Sequence, residues 1–419
     1  MTDDIGAAGL RREAPRDLSD VGDDEALLDR IRDEIRATGP MTFARFMELA
    51  LYGEGGYYRA AAARPGRDGD FLTAPELHPI FGRTLAQAIE EIWRRLGEPA
   101  PFVVRELGAG TGALAVAILD GLSGASSPLL QEIVYEPIEA DTRRLDAFAE
   151  RLRAAGHGAR HRAARGGPIV GVVLGNEVLD ALPVHRVRRR EDRLREIAIE
   201  LGPDGSLVET EIDPSTPALA QRLADEDIDL VDGQTAEICL ELDDWIAAAA
   251  DSIERGMLLF IDYGAPAAEL YDPVRRRDGT LRAYVRHRVH DDPYRHVGRQ
   301  DLTAHVDVTA VERAAHAAGL ETIGITTQAE ALMGLGIERR LQAIQADPAT
   351  TLEQYTLVRS ALMRLMDPAA MGRFRVMAFG RDWPREPPDG PPLGLFAFRL
   401  PDRRPGRPTG PGGSPPDAV

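Results

Sequence analysis

Two short segments of this chain gather side chains that can do chemistry. The first is Glu106-Leu107-Gly108-Ala109-Gly110-Thr111-Gly112. Three glycines alternate there after an apolar run, and alternating glycines let a backbone turn tightly while a ligand lies close against it. The second is Asn176-Glu177-Val178-Leu179-Asp180-Ala181-Leu182-Pro183. Its amide and two carboxylates can accept N–H bonds and stabilise developing positive charge, which suits a nitrogen nucleophile.

Each segment has a plainer alternative. Gly108, Gly110 and Ala113 also fit the spacing of a dinucleotide fingerprint. Glu106 favours S-adenosylmethionine (SAM) over a pyrophosphate, because a carboxylate beside the turn attracts the cationic ammonium and sulfonium of SAM and repels phosphate. Glu136, read as the end of the next strand, is placed to accept bonds from both ribose hydroxyls. In the second segment, Asn176 and Asp180 can equally cap a helix.

The surrounding pattern supplies elements to position these groups. Phe102–Leu107 reads as a buried strand, Gly112–Leu122 as the helix after it, Ile133–Tyr135 as a strand and Glu139–Arg153 as a helix. Ile169–Leu174 and Met257–Ile261 are further strands. Strands alternating with helices imply a parallel sheet covered on both faces. Ligands of such sheets sit beyond the carboxyl ends of the strands, which brings Asn176, Glu177 and Asp180 to the same crevice as Gly108. Helices over 26–38, 42–50 and 79–96 make a helical N-terminal part, 24–100, ahead of a SAM-binding domain, 101–400. Residues 184–213 alternate around Pro203-Asp204-Gly205 and read as a β-hairpin insertion. Residues 328–372 read as a helical insertion before final strands at Arg375–Phe379 and Leu393–Leu400. The tails 1–23 and 401–419 read as disordered. The expected fold class is thus α/β, a Rossmann-like sheet with a helical N-terminal part and two insertions, which the family resemblance given below implies is a class I SAM methyltransferase sheet.

Composition narrows the partners. The 419 residues carry a formal net charge of −18, and every basic residue apart from histidine is arginine. Such a charge repels a phosphate backbone, so nucleic acid is not an expected partner, whereas a protein substrate with a basic segment is attracted. An oligomer is possible. No apolar run is long enough to span a membrane. The acidic N-terminus lacks secretory and transit-peptide features, so the expected location is cytoplasmic. The lone Cys239 reads as a buried apolar side chain, and no ligand spacing supports a metal site.

Taken in order, these segments resemble the MidA-like family of SAM-dependent methyltransferases. Gly69-Asp70-Phe71-Leu72-Thr73-Ala74-Pro75-Glu76 with Phe81-Gly82 looks like its N-terminal signature, Glu106–Gly112 like its SAM loop, and Asn176-Glu177 with Asp180-Ala181-Leu182-Pro183 like its internal motif. Ile261-Asp262-Tyr263-Gly264 and Asp301-Leu302-Thr303-Ala304-His305-Val306-Asp307 look like its later blocks. The likeness runs from about Met41 to Phe398. It implies a methyltransferase with SAM as cofactor, and a role for Asp70 and Thr73 near cofactor or acceptor. Mitochondrial members of the family are complex I assembly factors that dimethylate an arginine of a partner subunit, which implies a protein-arginine acceptor here. The expected cofactor set is then Glu106, Gly108, Gly110, Gly112, Glu136, Asp70 and Thr73. The expected catalytic set is Asn176, Glu177, Asp180 and His305. His305 and Asp307 have a structural reading beside a proton-transfer one. Tyr52, Tyr57 and Tyr58 either line an acceptor channel or pack the N-terminal helices. His287, His290 and His296 read as a solvated loop. A catalytically silent scaffold and an NAD-dependent oxidoreductase are the rival functions.

Overall fold

The computed structural model describes residues 18, 21–59, 73–286, 288–384 and 391–399. Most of the two tails, Asp70 with its neighbours in the signature loop, and His287 lie outside the described residues.

Two amphipathic helices open the described chain. Helix α1, Glu25–Thr38, buries Leu27, Leu28, Ile31 and Ile35 along one stripe, and Asp24 caps it by accepting the Leu27 amide at 3.1 Å. Helix α2, Phe43–Tyr52, is capped by Thr42. They pack on a five-stranded sheet formed by Met41–Thr42, His185–Arg190, Arg193–Leu201, Leu207–Ile212 and Thr235–Ile238. The expected hairpin is thus part of a larger sheet. Pro203-Asp204-Gly205 makes its second turn, where the Gly202 amide donates to the Ser206 carbonyl at 2.8 Å.

The main sheet has six strands. In chain order they are β1 (Phe102–Leu107), β2 (Ile133–Ile138), β3 (Ile169–Asn176), β4 (Ile253–Asp262), β5 (Glu321–Thr327) and β6 (Arg375–Arg381). Their spatial order is β5-β6-β4-β3-β1-β2. The pairs β1–β2, β1–β3 and β3–β4 are parallel, while β6 runs antiparallel to both β4 and β5. The parallel strands are almost continuously apolar, as double-sided burial demands. One face is covered by α3 (Ile80–Arg95), α4 (Ala113–Gly124) and α5 (Arg143–Ala154), together with helices between 328 and 366. The other is covered by α6 (Leu242–Asp251) and α7 (Val308–Ala317).

Two expectations are corrected here. Leu393–Leu400 is not a strand. Within its described part, Gly394–Phe396 is a single 3-10 turn whose Leu393 and Leu395 plug into the core, and Glu91 holds the Gly394 amide at 2.8 Å. The sheet position beside β6 is taken by β5, which sequence reading missed. Its Glu-Thr-Ile-Gly-Ile-Thr-Thr run is an edge strand, mostly half-exposed, with little apolar signal. The strands β2, β3 and β4 also extend beyond the expected bounds, and this matters for the site.

Candidate functional site

The glycine segment joins the carboxyl end of β1 to α4. Gly108, Gly110 and Gly112 all adopt positive φ, at 65°, 54° and 85°. A Cβ on Gly108 would lie 2.6 Å from a Val178 methyl, and one on Gly112 would lie 2.9 Å from Phe148. Those two glycines are required by protein neighbours. Gly110 differs: a Cβ there meets nothing within 4 Å, so its open side faces a space that a ligand can take. Its amide donates to Glu139 Oε2 at 2.7 Å.

Glu106 and Glu136 have different fates. Glu106 is buried and accepts the Tyr135 hydroxyl at 2.6 Å. Burial pushes its pKa up to about 8, opposed by the Tyr135 bond and assisted by nearby Glu139. It therefore holds its proton to higher pH than an exposed carboxylate does. Glu136 is corrected as a ribose acceptor. It does not end its strand, since β2 continues to Ile138, and both its oxygens are taken. Arg105 donates to Oε2 at 2.7 and 3.0 Å, and Arg162 to Oε1 at 2.6 and 2.9 Å. The acid at the strand end, next to the glycine turn, is Glu139. Sequence reading missed it because a buried ion pair inside a strand mimics a strand terminus. Glu136→Ala is expected to destabilise the fold by about 3–5 kcal/mol by stranding buried Arg105. A urea titration measures that loss.

The second segment follows β3. Asn176 ends the strand, and Glu177 turns out of it with φ 53°. Such a conformation is costly for a non-glycine residue and is commonly tolerated at functional sites. The Glu177 amide donates to the Ile261 carbonyl at 2.8 Å. Glu177 Oε1 accepts the Ala74 amide and the Asn176 side-chain amide, each at 3.1 Å. Thr73 precedes Ala74 and is the N-cap of the short helix Ala74–Leu77, with no side-chain capping bond. This contact brings the end of the signature loop onto the internal motif.

No helix follows β3 for Asn176 or Asp180 to cap; the segment is a turn whose amides another residue holds. Asp262, at the end of β4, accepts the Val178 and Leu179 amides at 3.0 and 2.8 Å and the Tyr263 amide at 2.9 Å. Sequence reading did not single it out as a site residue. Asp180 is buried and takes a short hydrogen bond from the Tyr263 hydroxyl on Oδ2. Its Oδ1, and Oδ1 of Asn176, are buried with no hydrogen-bond partner among the described residues. Burial raises Asp180 to about 6, and burial with Asp180 nearby raises Glu177 to about 8. Asp262 is raised well above the carboxylate range by burial and by Asp180.

Tyrosines wall this acidic pocket. Tyr52 donates to the Ala181 carbonyl at 3.0 Å and stacks on Tyr58 with ring centroids 5.4 Å apart. Tyr58 donates to Asp301 at 2.9 Å. Tyr57 sits edge-on to Tyr58 and is buried in the N-terminal core. His305 meets the site through Tyr263, edge-on at 5.4 Å. Burial and then Arg276, Arg373 and Arg282 hold its pKa down to about 3, so the imidazole is neutral. Asp307 caps α7 through the Ala310 amide at 3.0 Å. Cys239 is partly buried, and burial raises its thiol to about 12. Among the described residues no group of side chains could hold a metal ion, and no helix is long and apolar enough to cross a membrane.

Residues 84–326 match a family model described as S-adenosyl-L-methionine-dependent methyltransferase. The chain belongs to this family. A crystal structure from Burkholderia thailandensis bound to S-adenosyl-homocysteine superposes with a TM-score of 0.79 at 33% identity, covering 93% of this chain and 98% of that one. The mitochondrial protein arginine methyltransferase NDUFAF7 homolog of Drosophila melanogaster is 29% identical over 89% of this chain and 90% of its own. The human protein of that name is 28% identical over 84% of this chain and 82% of its own. The MidA-like resemblance, the class I fold and SAM as cofactor are therefore borne out, and the dinucleotide and silent-scaffold alternatives fall away. The cytoplasmic expectation is corrected: the curated relatives are mitochondrial proteins, and an acidic N-terminus does not outweigh them. The methyltransferase's glycine turn fits the cofactor, because the open side of Gly110 is space that no neighbouring side chain fills and the Glu106 carboxyl, held by Tyr135, lies just before the turn.

Proposed function

We propose that this methyltransferase modifies an arginine side chain of a protein substrate. The observation that carries the reading is the pair of buried, unpartnered acceptors, Asp180 Oδ1 and Asn176 Oδ1, beside Glu177. A guanidinium offers five N–H donors in a fixed plane, which suits such a set of oxygens. The relatives' names support the same acceptor.

Bound SAM supplies an electrophilic methyl group on a sulfonium that is already a good leaving group. The chain's residues then position and stabilise. Gly108, Gly110 and Gly112 shape the cradle, Glu106 receives the ammonium end, and Glu139 takes the ribose hydroxyls in place of Glu136. Thr73, next to Ala74, would reach the cofactor from beside Glu177. Glu177 and Asp180 hold the guanidinium, whose pKa above about 12 keeps it charged before reaction. As one of its nitrogens takes the methyl group from the sulfonium and the sulfur–methyl bond breaks, the proton that nitrogen gives up passes to Glu177. Asn176 orients Glu177 and offers its own oxygen. Tyr263 fixes Asp180, and neutral His305 braces Tyr263.

The test is tritiated-methyl transfer to candidate proteins, followed by amino-acid analysis. Methylarginine is the expected product; label on carboxylate, thiol or lysine with none on arginine overturns the reading.

The raised carboxylates also set a pH dependence. Protonated Asp180 and Glu177 cannot hold a cation, so kcat/KM should rise from about pH 5 to about pH 9 as the coupled group ionises. Stability should move the opposite way. A carboxyl whose folded pKa exceeds its unfolded value binds its proton more tightly when folded, so its contribution is present at low pH and fades as pH climbs through about 4 to 8. A flat kcat/KM profile over that range would remove these carboxylates from the acceptor site.

A further inference from the structure

Many arginines of this chain pair with carboxylates: Arg105 with Glu136, Arg188 with Glu211 and Arg222 with Asp243 are examples. That is easily arranged with 68 acidic residues against 50 basic ones. Three arginines next to the proposed acceptor pocket are not among them. Arg276 follows the turn at Asp272, where its amide donates to the Asp272 carbonyl at 2.9 Å. Arg282 lies on the strand Arg282–Val285, registered against Thr303 two residues before His305. Arg373 is exposed and directly precedes Phe374, whose ring lies 5.3 Å from Tyr263. Thr280, between Arg276 and Arg282, accepts the His305 amide at 3.1 Å.

The three therefore lie on two stretches of chain, 276–282 and 373, that border His305 and Tyr263. Each depresses the basicity of His305, and Arg276 is itself lowered by burial and then by Arg373 and Arg282. None forms a salt bridge with a carboxylate among the described residues. Two acids raise the basicity of Arg276 without forming an ion pair with it, and each also holds other groups. Glu237 holds the Thr280 amide and hydroxyl at 2.6 and 3.1 Å, and Asp272 holds the Val274 and Arg275 amides at 2.9 and 2.8 Å. Like-charged guanidiniums repel one another, and an anion supplied from outside relieves that repulsion.

We infer that Arg276, Arg282 and Arg373 form a receiving site for an Asp or Glu side chain of the protein acceptor, close in sequence to the arginine that is methylated. A protein side chain is the occupant favoured here because the cluster adjoins, through His305 and Tyr263, the pocket proposed for a protein arginine. The inference rests on that reading for its occupant, not for the site. At long range the chain repels acids, so one positive spot beside the pocket selects a single anion and sets the register of an otherwise cationic segment.

Peptides with one central arginine test this, with Asp or Glu nearby in one series and Asn or Gln at the same positions in the other. Binding is read by fluorescence anisotropy and transfer by tritiated methyl incorporation, for the wild type, Arg373→Gln and Arg276→Gln/Arg373→Gln. The wild type should favour the acidic series by about tenfold, the scale of one charge-assisted hydrogen bond. The ratio should fall toward one in the variants and in high salt. Arg373 is exposed, so its single variant keeps the test clear of folding damage. A wild type without preference, or a preference surviving both variants, overturns the site. Loss of SAM affinity in the variants assigns the cluster to the cofactor instead and also overturns it. Arginine-dependent binding of acidic peptides with no arginine methylation leaves the anion site standing and removes the arginine-acceptor reading.

Discussion

Glu177→Gln should slow methyl transfer by about 10²-fold or more, the scale of losing one electrostatic stabiliser at a reacting centre. The substitution is nearly isosteric. The side-chain oxygen can still accept the Ala74 amide, so the junction of signature loop and internal motif should persist. What is lost is the negative charge facing the guanidinium. Calorimetric titration should give a SAM affinity close to that of the wild type, because the proposed cofactor contacts lie at the glycine turn, Glu106 and Glu139. Unchanged transfer would strike Glu177 from the catalytic set while leaving the enzyme a methyltransferase. Lost SAM binding would move Glu177 to the cofactor side.

Gly110→Val should abolish SAM binding. A ligand at about a hundred times its dissociation constant stabilises a fold by about 2.7 kcal/mol. The wild type should therefore melt later in saturating SAM or S-adenosylhomocysteine, whereas NAD should leave it unmoved. The valine side chain would project into the space that a Cβ on Gly110 finds open. At φ 54° it also strains the turn by about 1–2 kcal/mol, so the variant alone should melt earlier. Gly110→Ala separates the two effects, since it carries the backbone strain with a far smaller intrusion. A SAM-dependent shift of wild-type size in Gly110→Val would place the cofactor away from this turn.

The parts of the fold that were legible share one property: their residues report burial directly. The apolar run Phe102–Leu107 and the stripe Leu27, Leu28, Ile31, Ile35 could hardly sit elsewhere. The strand at Glu321–Thr327 was illegible because an edge strand need not be apolar. The site shows the same division. Asn176, Glu177 and Asp180 stood out as polar residues after a buried strand. Glu139 was hidden behind Glu136, whose carboxylate is consumed by Arg105 and Arg162, a pairing between residues far apart in sequence. Asp262 could be quoted within its motif, yet its three amide contacts depend on how β4 lies beside β3. His305 looked like a proton carrier until its three arginine neighbours were in place.

The pocket is stitched together by contacts that are long in sequence. Ala74 meets Glu177 across 103 positions, Tyr263 meets Asp180 across 83, and Tyr58 meets Asp301 across 243. Closing such loops costs chain entropy before any contact repays it. A nascent chain therefore owns the glycine turn long before it owns an acceptor pocket, because Asp301 must emerge to hold Tyr58. Cofactor cradle and acceptor pocket need not be completed together. With the acceptor site proposed above, methyl transfer would begin only when the late segment has docked onto the early one, which ties activity to the finished tertiary structure rather than to any separable piece of it.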